Sequence, residues 1–321
     1  MMGEGEAGEL LRLVSVPDVA SRNSQDKLGR DVIALALCFL LLRRILADVP
    51  EASRYAAMAG ARRIHFDHGA LRTVRADWMG SLPSGELSIK RLLVPLGYAH
   101  AGTYPLPGLK MTGRAYAHQD NPLHIPQFFV SEIHPEAFSP AVQDAARSIF
   151  GGSVDPLDSA AKSVLAALER DGAVSFKEAV TVLPTLEKCF GRHHPTPDLT
   201  SYEVLLEESA EFAWIATEGN SFNHATDRVA DLDGVVDDLR RNGFSMKDEV
   251  EVSITGLVRQ TAFKAAQVER IFRGRNGDLI KRIVPGSFFE FISRGKDERG
   301  NIDLRFDSSN AQGILKMTAP P

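Results

Sequence analysis

Two short segments of the chain share a pattern, and together they decide the fold that the sequence predicts. Residues 68–72 read His-Gly-Ala-Leu-Arg and residues 224–228 read His-Ala-Thr-Asp-Arg, so both are His-x-x-x-Arg. Each opens a stretch that reads strand, helix and further strands, and that ends in an aromatic strand with one carboxylate: residues 128–132 (FFVSE) and 288–291 (FFEF). The carboxylate follows the histidine by 64 residues in the first stretch (68 to 132) and by 66 in the second (224 to 290). We interpret this as a duplicated βαβββ module.

Composition limits what surrounds these modules. The chain has 321 residues, of which 44% are hydrophobic and 25% charged, as is usual for a globular protein. A net charge of −5 and a pI near 6.0 argue against nucleic acid as a partner, because phosphate binding needs a basic face. Two cysteines, Cys38 and Cys189, are too few for a disulfide framework and fit a reducing cytoplasm.

The sequence also argues against a membrane-spanning helix and a secretory signal. Residues 32–42 are continuously apolar, but a span needs about 20 such residues, so we expect a buried core helix within residues 26–48. The N-terminal residues 1–9 are acidic and do not resemble a secretory signal. We therefore expect a cytoplasmic protein that acts on a small molecule, with no membrane or nucleic-acid partner.

The predicted fold class is α+β, with two βαβββ modules that form a curved mixed sheet around a metal site. We expect one domain, residues 1–321, with five parts: N-terminal helices (1–60), a first module (61–135), a helical insertion (136–212), a second module (213–295) and a loop-rich tail (296–321). Three helices are predicted in the insertion, at residues 139–149, 155–171 and 176–190.

Candidate ligands follow from the two-residue period of a strand, in which alternate side chains share a face. His68 shares a face with Arg72, His224 shares one with Arg228, and a short side chain between each pair leaves room for a ligand. Two imidazoles and one carboxylate are the ligand set of a non-haem Fe(II) site that leaves three positions open. Either arginine could hold a remote carboxylate of the substrate with a forked pair of hydrogen bonds.

Two choices are open at this point. His65 competes with His68 but faces the opposite side of its strand, and only His68 has an arginine at +4. Glu132 competes with Glu290, and by the symmetry of the repeat both could face the centre. Gln260 lies on a further strand that could face the site.

Four segments carry a resemblance to a known family. Residues 66–73 (FDHGALRT), 96–98 (LGY), 219–224 (GNSFNH) and 287–291 (SFFEF) resemble the 2-oxoadipate dioxygenase/decarboxylase family, distant members of the vicinal-oxygen-chelate superfamily. The resemblance runs from about residue 60 to 315. It implies Fe(II) bound by His68, His224 and Glu290, with Arg72 contacting the substrate. Glu132 is not a ligand in the family pattern, so the resemblance favours Glu290 over Glu132.

The implied reaction converts 2-oxoadipate and O₂ to D-2-hydroxyglutarate and CO₂, a step of lysine catabolism. The chain departs from the family near its end, where residues 308–314 match only loosely; by this resemblance Ser309 contacts a substrate carboxylate. Gln260 is a further candidate substrate contact because of its place on a possible inner strand. Two other hypotheses use the same scaffold. One is a glyoxalase-like lyase, isomerase or hydrolase with Zn²⁺ or Ni²⁺ and Glu132 as fourth ligand or base. The other is a binding module without catalysis or metal.

Overall fold

The protein is described by a computed structural model that covers residues 3–17, 26–58 and 62–307. Its N-terminal part contains α1 (Glu4–Leu13), β1 (Lys27–Gly29), α2 (Arg30–Asp48) and α3 (Pro50–Met58). The expected apolar helix is α2, and Pro50 starts a new helix, because proline is tolerated in a first helical turn. No helix in the described ranges is long and apolar enough to cross a bilayer. Both cysteines are free and buried.

The first module has the predicted order of one strand, one helix and three strands. Its elements are β2 (Phe66–Val74), α4 (Leu87–Leu93), β3 (Tyr98–Leu106), β4 (Met111–His118) and β5 (Gln127–Ile133). Gly97, after the helix, has φ +90°, a conformation that side chains with a Cβ rarely adopt. It allows the chain to turn directly into β3.

The helical insertion is larger than the sequence pattern indicated. It contains a short strand and five helices: α5 (Pro140–Phe150), α6 (Ser159–Asp171), β6 (Ala173–Ser175), α7 (Phe176–Lys188), α8 (Leu199–Glu208) and α9 (Ala210–Glu218). The predicted boundary at residue 213 falls within α9, and the first strand of the second module begins at Phe222. All but one residue of α9 are buried, so the helix lacks the polar face by which a helical period is recognised.

The second module repeats the order of the first with one addition. Its elements are β7 (Phe222–Arg228), α10 (Leu232–Arg241), β8 (Glu251–Val252), β9 (Val258–Ala262), β10 (Gln267–Arg273), β11 (Leu279–Pro285) and β12 (Phe288–Arg294). The segment 267–273 does not join the main sheet but pairs with β11 in a separate two-stranded hairpin. The hairpin is inserted between β9 and β12.

The main sheet has eight strands in the order β3-β4-β5-β2-β7-β12-β9-β8. Each half places its first strand at the centre and pairs it in parallel with the last strand of the same module. The halves join through the antiparallel pair β2–β7, here called the module seam. This α+β arrangement confirms the predicted fold class, and the symmetry of the strand order confirms the duplication.

The two faces of the sheet have different roles. The outer face packs under α2 and forms the largest apolar cluster, which includes Leu71, Val130, Ala225, Phe289 and Phe291. The inner face bears His68 and the residues that alternate with it. The main core thus lies on one side of the sheet and leaves the other side for a site.

Gly69 shows how closely the outer face is packed at the module seam. A Cβ atom at this position would lie 2.1 Å from the Phe222 ring. Only glycine lets the ring approach the backbone of β2 so closely, directly beside His68.

Candidate metal centre

Three buried side chains converge on the inner face at the module seam. Ligand atoms of His68, His224 and Glu290 all lie within 4.8 Å of one another. Glu290 Oε2 lies 3.2 Å from Nε2 of His68 and 3.3 Å from Nε2 of His224. The three predicted residues therefore come together although they belong to distant parts of the chain.

Strand register explains the convergence. Across the module seam Ala70 pairs with His224 and His68 with Thr226, so the two imidazoles are diagonal neighbours on one face. On the other side of β7, Thr226 pairs with Glu290. Since paired residues point to the same face, the carboxylate lies beside both rings.

The two rings differ in charge preference. Burial lowers the pKa of His224 to about 3, and the opposing effect of Glu290 is smaller. Burial also acts against protonation of His68, but hydrogen bonds and charges of Asp67 and Glu290 outweigh it and raise its pKa. Burial raises the pKa of Glu290, yet the two histidines and Thr226 lower it further, so this carboxyl group is ionised at neutral pH.

This geometry fits a divalent metal ion. With ligand bonds of about 2.1 Å, adjacent ligands of an octahedral ion lie about 3.0 Å apart, close to the separations of Glu290 from the two rings. A neutral imidazole at His224 and an ionised carboxylate at Glu290 are in the protonation states that coordination requires. Thr226 Oγ1 donates a hydrogen bond to Glu290 Oε2 and orients it. The donor set is that of the non-haem Fe(II) triad.

Arg72 lies on the same face of β2 as His68, two residues beyond Ala70. It is fully buried, and its guanidinium carbon is 4.8 Å from the centre of the Trp214 ring. Burial lowers the pKa of Arg72 to about 10, and Glu211 acts in the opposite direction, so the side chain is charged at neutral pH. The Cα atom of Arg72 thus lies about 7 Å along the strand from that of Ala70, the residue that pairs with His224.

The second arginine of the repeat lies elsewhere. Arg228 donates a hydrogen bond through Nε to Asp67 Oδ2, so it lies behind His68 and not beside Arg72. Sequence analysis left open which arginine would hold a substrate carboxylate, and this ion pair engages Arg228.

Of the other predicted contacts, one is on the inner face and one lies outside the described residues. Gln260 pairs with Ile292, two residues from Glu290 on β12, and its Nε2 donates to Glu251 Oε2 over 3.2 Å. Ser309 lies beyond residue 307, where the described chain ends.

The expectation that Glu132 could face the centre is wrong. Glu132 pairs with Thr73 and lies on the outer face, where it accepts hydrogen bonds from the Glu86 backbone N–H and from Arg114. The register makes Phe129 the counterpart of Glu290, because Phe129 pairs with Ala70 as Glu290 pairs with Thr226. The similar intervals in the sequence compared residues on opposite faces.

Sequence reasoning missed a segment that covers the site from the C-terminal side. The Phe306 ring lies 4.8 Å from the His68 ring and 4.8 Å from the Phe129 ring, measured between centroids. Its backbone N–H donates to the Tyr104 hydroxyl, and the preceding carbonyl group of Leu304 accepts from Gln127. The polar sequence of residues 295–307 gave no signal of this, apart from the one aromatic residue.

Two paired βαβββ modules define a glyoxalase-like fold of the vicinal-oxygen-chelate type, and two histidines and one glutamate on its inner face form a candidate metal centre. Comparison with known proteins is more specific. The sequence profile of the 2-oxoadipate dioxygenase/decarboxylase family matches residues 42–301, so the chain belongs to this family.

Individual relatives agree with this assignment. A 2-oxoadipate dioxygenase/decarboxylase from Pseudomonas putida is 27% identical over 249 residues, which are 73% of this chain and 52% of that protein. The match thus spans about half the length of this curated relative.

Solved structures extend the comparison to the whole fold. A protein from Ralstonia eutropha JMP134 assigned to the glyoxalase superfamily is 48% identical, with a TM-score of 0.93 over 96% of both chains. The hydroxyglutarate synthase of Oryza sativa, solved with 2-oxoadipate, has a TM-score of 0.71 and 19% identity, covering 96% of this chain and 95% of that one. The fold is therefore shared over nearly the full length.

Proposed function

We propose that this protein is an Fe(II)-dependent dioxygenase/decarboxylase that converts 2-oxoadipate and O₂ to D-2-hydroxyglutarate and CO₂, as in lysine breakdown. The observation that carries the proposal is the convergence of His68, His224 and Glu290 on one buried face. Family membership supports the reaction type, and the rice structure with 2-oxoadipate supports the substrate. A bound ferrous ion would supply the redox chemistry that activates O₂ beside the substrate.

The three ligands would leave one face of the ion open. His68, His224 and Glu290 approach from the strands of the module seam and from β12, so the opposite face is free for the keto oxygen and carboxylate of a 2-oxo acid. The buried position of all three side chains keeps bulk water from these groups.

Arg72 would bind the remote carboxylate of the substrate. It lies one same-face step beyond the row of His224, a separation that suits a short dicarboxylic acid with its 2-oxo end at the metal. The Trp214 ring lies against the guanidinium, and a guanidinium is the side-chain group that binds a carboxylate through a forked pair of hydrogen bonds.

An apolar wall would flank the reacting carbons. Phe129, Tyr104 and Phe306 form an aromatic group beside His68. Such a wall excludes water from the reacting end and favours a methylene chain over a polar one. Gln260 and Ser309 are further proposed contacts, Gln260 from the inner face of β9.

The test is O₂ consumption by Fe(II)-loaded protein with 2-oxoadipate and with a panel of shorter and longer 2-oxo acids. We expect one O₂ consumed and one CO₂ released for each hydroxy acid formed, with 2-oxoadipate the best substrate. Glu132→Ala is a matched control, since it removes a buried carboxylate from the outer face, and it should keep the same stoichiometry. Iron-loaded, folded protein that consumes no O₂ with any member of the panel contradicts the proposal.

The similarity to a glyoxalase-superfamily protein keeps a second function in view. A lyase or isomerase using Zn²⁺ or Ni²⁺ would be active without O₂, so the same assay under argon separates the two. The position of Glu132 on the outer face speaks against the version of this mechanism in which it is a ligand or base.

A further inference from the structure

Each candidate ligand histidine has the same kind of neighbour. Asp67 precedes His68 and Asn223 precedes His224, and each side chain lies 2.9 Å from Nδ1 of the histidine that follows it. Adjacent residues of a strand usually point to opposite faces, so this contact is not a routine result of the sequence order. In β2 it coincides with a register shift against β7 between Phe66 and His68.

The first neighbour is a carboxylate held from behind by two arginines. Arg294 donates to both carboxylate oxygens of Asp67 over 2.8 to 3.1 Å, and Arg228 donates to Oδ2. The side chains of Asp67 and Arg294 have no exposed surface. A carboxylate paired in this way can only accept, so the proton between it and His68 belongs to Nδ1.

The second neighbour is the neutral side-chain amide of Asn223, whose oxygen accepts no hydrogen bond from the described residues. Asn223 is buried, its Nδ2 lies against His224 Nδ1, and among the described residues its Oδ1 has no hydrogen-bond partner. Rotation of the amide by 180° exchanges these two atoms and lets Nδ1–H of His224 donate to Oδ1. This orientation gives the buried oxygen a partner and gives His224 the same tautomer as His68.

We propose that Asp67 and Asn223 are a matched pair of positioning residues that keep the proton on Nδ1 of His68 and His224 and so direct both Nε2 lone pairs to the metal. This rests on the proposed metal function. The pair is unequal: the carboxylate makes His68 the more basic ligand, and the amide leaves His224 the weaker one. Neither residue touches the substrate.

The experiment measures binding of Co²⁺, added to metal-free protein, from the visible absorption of the bound ion. Asn223→Ala should bind Co²⁺ about 10- to 100-fold more weakly than wild type, the usual effect of losing such a partner. Asn223→Asp restores an acceptor and should bind about as tightly as wild type. Asp67→Asn should weaken binding and shift the absorption bands, because the ligand field of His68 changes.

Thr73→Val is the matched control, because it removes a buried hydrogen bond from β2 on the face opposite to His68. It should leave both affinity and spectrum unchanged. The inference is overturned if folded Asn223→Ala binds Co²⁺ as tightly as this control. If Asp67→Asn does not fold because Arg228 and Arg294 lose their partner, the two Asn223 variants decide the question. Wild-type protein that binds no Co²⁺ contradicts the proposed function itself, and this inference with it.

Discussion

The two modules share one backbone plan and place different chemistry on it. In the first module, His68 pairs with Gln127 of β5, and the next same-face residue of β5 is Phe129. In the second module, His224 pairs with Phe288 of β12, and the next same-face residue of β12 is Glu290. One module therefore offers a single candidate ligand and an aromatic wall, and the other offers two candidate ligands. The repeat fixes the positions, and the residues at these positions divide the work between metal and substrate.

The arginines of the two repeats diverge in the same way. Arg72 is buried on the inner face against Trp214, whereas Arg228 is paired with Asp67 behind a ligand. The same pattern in sequence thus gives a proposed substrate contact in one half and a support for the metal site in the other.

The largest effects should come from replacing Glu290 and its counterpart Phe129 with alanine. Glu290→Ala removes a ligand and should lower metal affinity by more than about 100-fold, beyond what the loss of an outer partner costs, with turnover falling below detection. Phe129→Ala should keep metal but destabilise the fold by about 3 to 5 kcal/mol. Elemental analysis, O₂ uptake and thermal unfolding measure these effects. Retention of iron by Glu290→Ala at the wild-type level would disprove its role.

The two arginines should separate in kinetics. Arg72→Lys should raise KM for 2-oxoadipate by about 10- to 100-fold, because an ammonium cannot reproduce a forked pair of hydrogen bonds. Its affinity for metal should be unchanged. Arg228→Lys should leave KM near the wild-type value, since Arg294 still pairs with Asp67. Equal changes in KM for both variants would refute the division of roles.

A smaller effect is expected where the modules differ on the outer face. Gly69 pairs with Ala225 across the module seam. Gly69→Ala would force a Cβ into the Phe222 ring and should lower the free energy of unfolding by about 1 to 3 kcal/mol. Ala225→Gly should cost about 1 kcal/mol through the entropy of the unfolded chain. Denaturant titration measures both, and adding Phe222→Leu to Gly69→Ala should recover part of the loss.

The smallest effect is expected from two ion pairs, one formed by an arginine of the first module and one by an arginine of the second. Arg91 of α4 donates to both oxygens of Asp155, and Arg259 of β9 donates to both oxygens of the exposed Asp233. Burial raises the pKa of Asp155, but Arg91 and the Leu157 N–H outweigh it and lower the pKa from 3.8 to about 2.

Because the folded-state pKa of Asp155 is depressed, its contribution is present above about pH 4 and is lost as the pH falls toward 2. Asp155→Asn should cost about 1 kcal/mol at pH 7, allowing for solvent screening, and should lose less stability than wild type between pH 4 and 2. Asp233→Asn should change neither the stability nor its acid dependence. Urea unfolding at several pH values checks both variants.

The fold was predictable because the repeat recurs in the order of elements. The paired His-x-x-x-Arg segments and the closing aromatic strands placed His68 and His224 on one face, and the family resemblance selected Glu290 over Glu132. Local sequence could not show the partners of Gln267–Arg273, since alternation of polar and apolar residues is the same in a sheet strand and in a separate hairpin.

The error over Glu132 has a specific physical cause. A shift of one residue moves a strand side chain to the other face, so an interval that matches within two residues does not fix the face. The hairpin inserted between β9 and β12 lengthens the second interval and hides the true counterpart, Phe129. Asp67 and Asn223 could have been found, because each precedes a ligand histidine in the sequence, but their contact with the ring depends on local strand geometry.

The module seam has a consequence for how such a site could arise. Two identical modules paired about a two-fold axis would carry the same residue at both counterpart positions, hence two glutamates or two phenylalanines. One carboxylate with two imidazoles is unavailable to any such symmetric pair. Joining the two modules in a single polypeptide lets each of them change alone, so one can carry Glu290 at the position where the other carries Phe129.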